Sequence, residues 1–211
     1  MSCEHNLSAN EKIVCSACYS KLLGVEDEFM NAEFERKFSS AKIITGFYTP
    51  FIFNEESPVK DIIHKLKYEQ RFRNGIYLGE KIAEHGRDII RVWNINLIIP
   101  VPLHRTKQAE RGYNQSYYIA KGISKPTGIP VSQRSIRRIR YTQSQTKLNI
   151  LERKENIKGV FKVKDRKIIK GKNILLVDDV ITTGATVSEC GVTLLNSGAN
   201  KIYAVSTALA N

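Results

Sequence analysis

Two adjacent carboxylates, Asp178 and Asp179, directly follow an unbroken run of four apolar residues. Such a run predicts a strand that is buried on both faces of a parallel sheet. A turn of hydroxyl and glycine residues follows at 182–186, and Thr186 stands three residues before Glu189, which is the spacing of a helix capping box. The segment therefore predicts a strand, an acidic pair, a hydroxyl-rich loop and a helix, in that order.

The loop and the acidic pair predict two halves of one binding site. Backbone N–H groups at a helix start bind phosphate, and the hydroxyls of Thr182, Thr183 and Thr186 would add donors. Gly184 allows a tight fold around an anion because it has no Cβ. The acidic pair would repel a phosphate, so it fits sugar hydroxyls or a magnesium-loaded ligand nearby. A phosphorylated sugar satisfies both halves; in the alternative, these residues only end a strand and turn the chain.

A basic loop at 102–114 follows a second predicted strand. In open α/β sheets, ligands bind beyond the carboxyl ends of the strands, so Arg105, Lys107 and Arg111 are well placed for a pyrophosphate. Arginine suits this role because its planar fork makes two bonds to phosphate oxygens. The alternative is an exposed basic turn.

The length and composition favour one α/β domain with a small appendage, since the chain has 211 residues. No apolar run reaches the roughly 18 residues of a membrane span, and no apolar signal core opens the chain, so we expect neither insertion nor export. Four cysteines are too few for a disulfide framework, which favours a reducing, cytoplasmic location.

The positive charge is concentrated in the middle of the chain. The net charge is +12, yet residues 100–172 alone carry 19 Lys and Arg against four acidic residues. One pyrophosphate needs only a few cations, so the excess favours a polyanionic partner such as nucleic acid. A solvated basic surface is the alternative. The candidate nucleic-acid contacts are Arg134, Arg137, Arg138 and Arg140, on a strand predicted at 131–140.

The N-terminal residues 1–22 form a Cys/His segment that predicts a zinc module. Cys15 and Cys18 have the C-x-x-C spacing that commonly places two thiolates on one zinc ion, and Cys3 and His5 would complete a tetrahedral site. A segment of this size has no core of its own, so a metal would drive its folding. A redox-active C-x-x-C pair is the alternative.

The remaining periodicities predict the domain plan. Residues 23–40 are expected to form a linker with some helix, and residues 41–211 the main domain. The aromatic segment 41–53 predicts either core strand or part of a hood over the site, and 141–151 predicts a mobile loop. Helices are predicted from Ser57-Pro58, over 76–92 and over 115–124, and further strands at 96–101, 160–163 and 202–206.

Five separated motifs occur in order along the chain: His64-Lys-Leu-Lys-Tyr68, Pro100-Val-Pro-Leu-His-Arg, Arg111-Gly-Tyr-Asn-Gln, residues 143–148 with Arg153 and Asn156, and Val177-Asp-Asp-Val-Ile-Thr-Thr-Gly-Ala-Thr. Together they resemble the ComF family, and the resemblance spans nearly the whole chain. ComF proteins are bacterial phosphoribosyltransferase-like proteins with an N-terminal zinc finger, linked to natural competence.

The resemblance implies a type I phosphoribosyltransferase fold, a parallel sheet flanked by helices with a hood, plus a small zinc module. Asp178 and Asp179 would hold the ribose hydroxyls of phosphoribosyl pyrophosphate, and the loop from Thr182 through Ala185 to Thr186 would bind its 5′-phosphate. Magnesium would accompany the ligand. The family finger has two C-x-x-C pairs, whereas here only Cys3 matches the first pair. Either His5 substitutes, or the true start lies upstream, or the finger is incomplete.

Three functions follow as hypotheses. In the first, the protein is a transferase in which a nucleophilic nitrogen displaces pyrophosphate, with Asp178, Asp179 and Arg105 as catalytic residues and no residue named as general base. In the second, it is a non-catalytic adaptor that binds single-stranded DNA through the strip from Arg137 to Arg140 and through the zinc finger. The third, a purine-salvage transferase, explains neither the cysteine pair nor the basic segment. We expect the ligands to be phosphoribosyl pyrophosphate and single-stranded DNA, and other competence proteins as partners.

Overall fold

The computed structural model describes residues 7–8, 11, 13–22, 24–54, 57–141 and 157–210. The helices are α1 (Ser16–Tyr19), α2 (Asp27–Phe38), α3 (Pro58–Tyr68), α4 (Phe72–His85), α5 (Arg87–Val92), α6 (Arg105–Arg111), α7 (Gln115–Thr127), α8 (Arg166–Ile169) and α9 (Ala185–Leu195). The strands are β1 (Gly46–Tyr48), β2 (Phe51–Phe53), β3 (Leu97–Pro100), β4 (Ile136–Arg138), β5 (Phe161–Val163), β6 (Asn173–Ile181) and β7 (Lys201–Ala210).

The main sheet is parallel and has the order β1–β7–β6–β3, with β2 pairing farther along β7. Residues 174–177 of β6 are fully buried, and alternate side chains enter two separate cores. Leu175 and Val177 join a core built with α3, α4 and α7. Ile174 and Leu176 join a core built with α2 and α9. The predicted α/β architecture, a parallel sheet flanked by helices, is therefore confirmed.

The aromatic segment 41–53 contributes core strands. Both β1 and β2 pair with β7, and Phe47 and Phe51 are buried. The core-strand interpretation is thus confirmed for these residues. The arginine-bearing strand is shorter than predicted, because only 136–138 form β4, which pairs antiparallel with β5 in a separate two-stranded sheet.

The predicted helix over 76–92 is wrong in one respect, since it is two helices. The chain leaves helical geometry at Gly86, between α4 and α5. A Cβ at Gly86 would lie 2.6 Å from the Tyr48 ring, so only glycine allows β1 and α4 to approach at this point. The start of α3 is as predicted, with Ser57 accepting a hydrogen bond from the Val59 N–H at 3.4 Å and Pro58 in the first turn.

The N-terminal residues pack against the main body. Val14, Cys15 and Cys18 are buried in the same core as α3 and α4, and the Tyr19 hydroxyl lies 2.9 Å from His85 Nε2. Helix α2 packs Phe38 against Phe47, with ring centroids 5.6 Å apart. The division of the chain at residues 22 and 40 stays a prediction. Within the described part of the chain, no helix is long and apolar enough to cross a membrane.

Helices α4 and α7 touch through their backbones at two glycines. A Cβ at Gly122 would lie 2.1 Å from the Ile76 carbonyl oxygen, and one at Gly79 would lie 2.0 Å from the Ile119 carbonyl oxygen. This close approach sets the position of α7. Ser116, in the first turn of α7, thereby lies beside Asp178 of β6.

We expect Gly122→Ala to destabilise the protein by about 1–3 kcal/mol, because the new methyl group forces α4 and α7 apart. Inside a helix, alanine is otherwise more favourable than glycine by roughly 1 kcal/mol, so a net loss of stability would indicate the clash. Urea unfolding measures the change. Gly24→Ala is the control, since no atom lies within 4 Å of a Cβ at that position. Equal stability of the Gly122 variant and the wild type would contradict this helix contact.

Candidate functional site

The acidic pair lies on β6 beyond the last residue of β3. Pro100, where β3 ends, pairs with Val177, so Asp178 and Asp179 follow at the carboxyl edge of the sheet. Asp178 Oδ1 accepts hydrogen bonds from Ser116 Oγ at 3.1 Å and from the Asp179 N–H at 2.9 Å. Asp179 Oδ1 accepts a hydrogen bond from the Val180 N–H at 2.7 Å. Both carboxylates are therefore held by hydrogen bonds, at the edge where ligands bind in this class of sheet.

A lysine neutralises one carboxylate of the pair. Lys67 Nζ, at the end of α3, lies 2.8 Å from Asp179 Oδ2, and both side chains are largely buried, with 22% and 14% exposure. Asp178 is held instead by the hydrogen bonds from Ser116 and from the Asp179 N–H. Burial and the nearby Asp179 carboxylate raise the pKa of Asp178 to about 7. Asp178 can therefore serve as a hydrogen-bond donor or acceptor near neutral pH.

The hydroxyl-rich loop forms the start of α9, although not in the predicted way. Gly184 is the N-cap and has φ +75°, a left-handed conformation that favours glycine. The predicted capping box between Thr186 and Glu189 is wrong, because the helix begins at Ala185 and Thr186 is already inside it. Glu189 instead accepts a hydrogen bond from the Gly159 N–H at 2.8 Å. The first turn of α9, with its backbone N–H groups, directly follows this loop, and the assignment of a phosphate to it stays a prediction.

Helix α2 supports this loop from behind. Lys37 Nζ donates a hydrogen bond to the Thr182 carbonyl oxygen and lies 3.5 Å from the Ala210 carbonyl oxygen. Its ion pair with Glu33 Oε2 is 3.0 Å long, and its side chain is only 2% exposed. Burial lowers the pKa of Lys37. The Phe38 ring closes the same side, since a Cβ at Gly184 would lie 2.7 Å from it.

The basic loop after β3 forms α6. Arg105 is its exposed first residue, and Arg111 Nη1, at its end, donates a hydrogen bond to Gln115 Oε1 at 3.1 Å. Partial burial lowers the pKa of Lys107, as do the positive charges of Arg111 and Arg138. Crowded cations of this kind favour an anionic ligand, because its charge would relieve their mutual repulsion.

A polar groove of about 600 Å³ joins two sets of predicted contacts. Its lining includes Arg105, predicted for pyrophosphate, together with Arg134, Arg137 and Arg138, predicted for nucleic acid. Arg138 is the least exposed of these three arginines, and burial lowers its pKa while the charge of nearby Asp178 opposes that change. Arg134, Arg137 and Arg138 therefore form one wall of the groove, and Arg138 is the member of this wall that Asp178 influences. Arg140 lies apart from this wall and donates to the Lys158 carbonyl oxygen at 2.9 Å.

The comparisons with known proteins fit this arrangement. The phosphoribosyl transferase domain family matches residues 114–210, which include the acidic pair and its loop. Competence protein F of Haemophilus influenzae is 28% identical over 192 residues, which are 89% of this chain and 81% of that protein. DNA utilization protein YhgH of Shigella flexneri is 31% identical over 145 residues, which are 67% of this chain and 63% of that protein.

Competence protein ComFC of Bacillus subtilis is 30% identical over 102 residues, which are 48% of this chain and 39% of that protein. The chain belongs to the ComF/YhgH family. Its parallel sheet flanked by helices is a phosphoribosyltransferase-like fold. The match to this domain begins at Asn114, so it covers β6, the loop and α9 but not Arg105, Lys107 or Arg111.

The zinc ligands predicted for this family member are only partly within the described residues. Cys15 precedes α1 and Cys18 lies in it, and both are buried within a single turn. Cys3 and His5 lie outside the described residues, as does the predicted loop beyond Tyr141. Among the residues that the structure does describe, no group of three His, Cys, Asp or Glu side chains is arranged to hold a metal ion.

The sequence patterns assign no role to Lys67, Ser116 or Lys37, although all three contact the site. Lys67 lies in a motif shared with the ComF family, and this motif is the one signal that could have identified it. Ser116 follows Asn114, which caps α7 through a hydrogen bond from the Ser116 N–H at 3.0 Å. Lys37 reaches the loop across 145 residues of sequence, a contact that no local pattern contains.

We expect Asp178→Asn to stabilise the folded protein by about 1–3 kcal/mol at about pH 8 and to have little effect near pH 4. Because the folded-state pKa of Asp178 is raised to about 7, its ionisation costs stability as the pH rises from the unfolded pKa through the folded one. The amide removes that cost. Urea unfolding of both proteins at the two pH values gives the comparison, and a difference in stability that does not change with pH would refute the raised pKa.

Proposed function

We propose that this protein binds magnesium phosphoribosyl pyrophosphate at the carboxyl edge of β6 and acts in the handling of DNA during uptake. The supporting observation is the combination at one edge of the Asp178–Asp179 pair, the Thr182–Thr186 loop at the start of α9, and the cations of α6. An acidic pair fits ribose hydroxyls, a helix start fits a phosphate, and crowded cations fit a pyrophosphate. Phosphoribosyl pyrophosphate carries these three groups.

Each part of the ligand has a proposed partner. Asp178 and Asp179 accept hydrogen bonds from the ribose hydroxyls, while Thr182, Thr183, Gly184, Ala185 and Thr186 hold the 5′-phosphate. Arg105, Lys107 and Arg111 bind the pyrophosphate. Magnesium, which arrives with the ligand, would neutralise part of the pyrophosphate charge. Lys67 is already paired with Asp179 at 2.8 Å, so it limits the repulsion between the acidic pair and the ligand's phosphates.

The proposed reaction is transfer of the phosphoribosyl group. A nitrogen lone pair of the acceptor forms a bond to ribose C1, and the bond from C1 to the pyrophosphate oxygen breaks with its electron pair leaving on pyrophosphate. Negative charge therefore grows on the leaving group, where Arg105, Lys107 and Arg111 would stabilise it. We assign catalytic roles to Asp178, Asp179 and Arg105, and no general base.

The nucleic-acid part of the proposal has two supports. The basic wall of Arg134, Arg137 and Arg138 lines the groove together with Arg105, and the charge of Asp178 acts on Arg138. Two relatives are named as competence proteins and another as a DNA utilization protein. We therefore propose single-stranded DNA as a partner, with competence proteins as further partners and the cytoplasm as the location. A non-catalytic adaptor that keeps the transferase fold only to grip DNA is the second candidate, favoured by the same basic wall.

We expect Asp178→Asn combined with Asp179→Asn to abolish binding of phosphoribosyl pyrophosphate with Mg²⁺, because the ribose hydroxyls lose both charged acceptors. Calorimetric titration measures the affinity, and circular dichroism checks that the fold is intact. Asp88→Asn is the control, since that exposed carboxylate lies on α5, which leads into the opposite, amino end of β3. Unchanged affinity in the double variant would remove the site assignment.

We also propose that Cys3, His5, Cys15 and Cys18 hold a structural zinc ion. The support within the described structure is that Cys15 and Cys18 are buried in one turn beside the main core. We expect native mass spectrometry to find one zinc per chain, and Cys15→Ser to release it. Cys190→Ser is the matched control, because that buried thiol lies on α9, apart from the other cysteines. A wild-type protein free of metal would end the zinc assignment.

A further inference from the structure

Aromatic side chains lie at the end of α3, at the start of α4 and around the start of α7. We define the aromatic strip as Tyr68, Phe72, Tyr113, Tyr117 and Tyr118. Tyr118 is its hub, with ring centroids 5.2 Å from Phe72, 5.1 Å from Tyr113 and 5.4 Å from Tyr117. The Tyr113 hydroxyl donates to the Leu66 carbonyl oxygen, which ties the strip to the end of α3 beside Tyr68.

Two members of the strip expose their rings to solvent. Tyr68 is 64% exposed and Phe72 is 44% exposed, whereas large apolar side chains elsewhere in the helices are mostly buried. A single exposed apolar side chain is common, but two exposed rings beside three half-buried ones form an apolar patch, which is a feature of binding surfaces. The other three rings are half-buried, and Tyr118 among them contacts Phe72, whereas Tyr68 packs against the His64 ring at 4.8 Å.

Cations accompany the rings along the strip. The Arg111 guanidinium lies over the Tyr68 ring at 5.7 Å, and Lys121 Nζ lies over the Tyr117 ring at 5.7 Å. Arg73 is exposed beside Phe72 on α4, and Arg71 pairs with the partly exposed Glu69 at 3.3 Å. Exposed rings interleaved with cations are the two features that bind single-stranded nucleic acid, by base stacking and by phosphate contacts.

The aromatic strip also leads into the proposed site. Lys67, next to Tyr68 in the chain, lies 2.8 Å from Asp179, and Arg111 belongs to the proposed pyrophosphate contacts. We infer that the aromatic strip is a base-stacking surface that directs single-stranded nucleic acid to the acidic pair, from the side occupied by α3. This inference rests on the proposed function for its partner. It adds a surface distinct from the wall formed by Arg134, Arg137 and Arg138.

The test is anisotropy of a labelled oligothymidylate bound to the full-length protein, over about 50–200 mM salt. We expect Tyr68→Ala and Phe72→Ala each to weaken binding about tenfold, the magnitude of one lost base stack. The slope of log affinity against log salt should stay unchanged, because no phosphate contact is lost. Arg73→Gln should instead lower that slope by about one.

Matched variants separate stacking from a loss of folding. Tyr68→Trp keeps an aromatic face and should restore the affinity lost in Tyr68→Ala. Val92→Ala removes an apolar side chain that is 81% exposed on α5 and should leave the affinity unchanged. Phe72→Ala should keep its calorimetric affinity for phosphoribosyl pyrophosphate, because Phe72 makes its ring contact with Tyr118 rather than with the proposed sugar-phosphate residues.

Two results would overturn the inference in different ways. If the wild type binds the oligonucleotide but the alanine variants bind it equally well, the aromatic strip is not the stacking surface, while the proposed function stands. If the wild type binds phosphoribosyl pyrophosphate but no oligonucleotide, the strip inference fails together with the nucleic-acid part of the proposed function.

Discussion

Two negative charges on consecutive residues of β6, directly after its buried segment 174–177, are the constraint on which the rest of this site depends. Asp178 and Asp179 repel one another, and the sheet removes water that would otherwise screen them. Surrounding groups offset this cost: Lys67 pairs with one carboxylate at 2.8 Å, and Ser116 donates to the other at 3.1 Å. The pKa of Asp178 is nevertheless raised to about 7, so the compensation is incomplete. An incompletely compensated carboxylate at a ligand-binding edge is a common feature of functional sites.

The elements around the acidic pair come from distant parts of the chain. Helix α2 holds the rear of the phosphate loop through Lys37, and α3 delivers Lys67. The glycine contact between α4 and α7 fixes the helix that carries Ser116. Arg138, on β4, lies close enough to Asp178 for the charge of that carboxylate to raise the pKa of the arginine against the effect of burial. The site therefore depends on tertiary packing at several points, and a ligand bound there would be sensitive to changes far from the acidic pair.

Local patterns predicted the parts of the structure that are local. The apolar run before Asp178 forms the central strand β6, and Ser57-Pro58 begins α3, because burial on both faces and capping chemistry leave clear sequence signals. Long-range contacts left no such signal. The contact between Lys37 and the Thr182 carbonyl oxygen spans 145 residues, and the break at Gly86 depends on the approach of Tyr48 from another element. The capping-box prediction was wrong because Gly184, in a left-handed conformation, starts α9 two residues earlier than the spacing suggested.

The most direct test of the central claim is a crystal structure of the protein with ribose 5-phosphate and Mg²⁺. This ligand contains the two groups assigned to the acidic pair and to the loop, without the pyrophosphate. We expect the 5′-phosphate to lie against the backbone N–H groups at the start of α9, with the ribose hydroxyls within hydrogen-bond distance of Asp178 and Asp179. A sugar phosphate that binds elsewhere, and contacts neither the acidic pair nor the loop at 182–186, would contradict this site assignment.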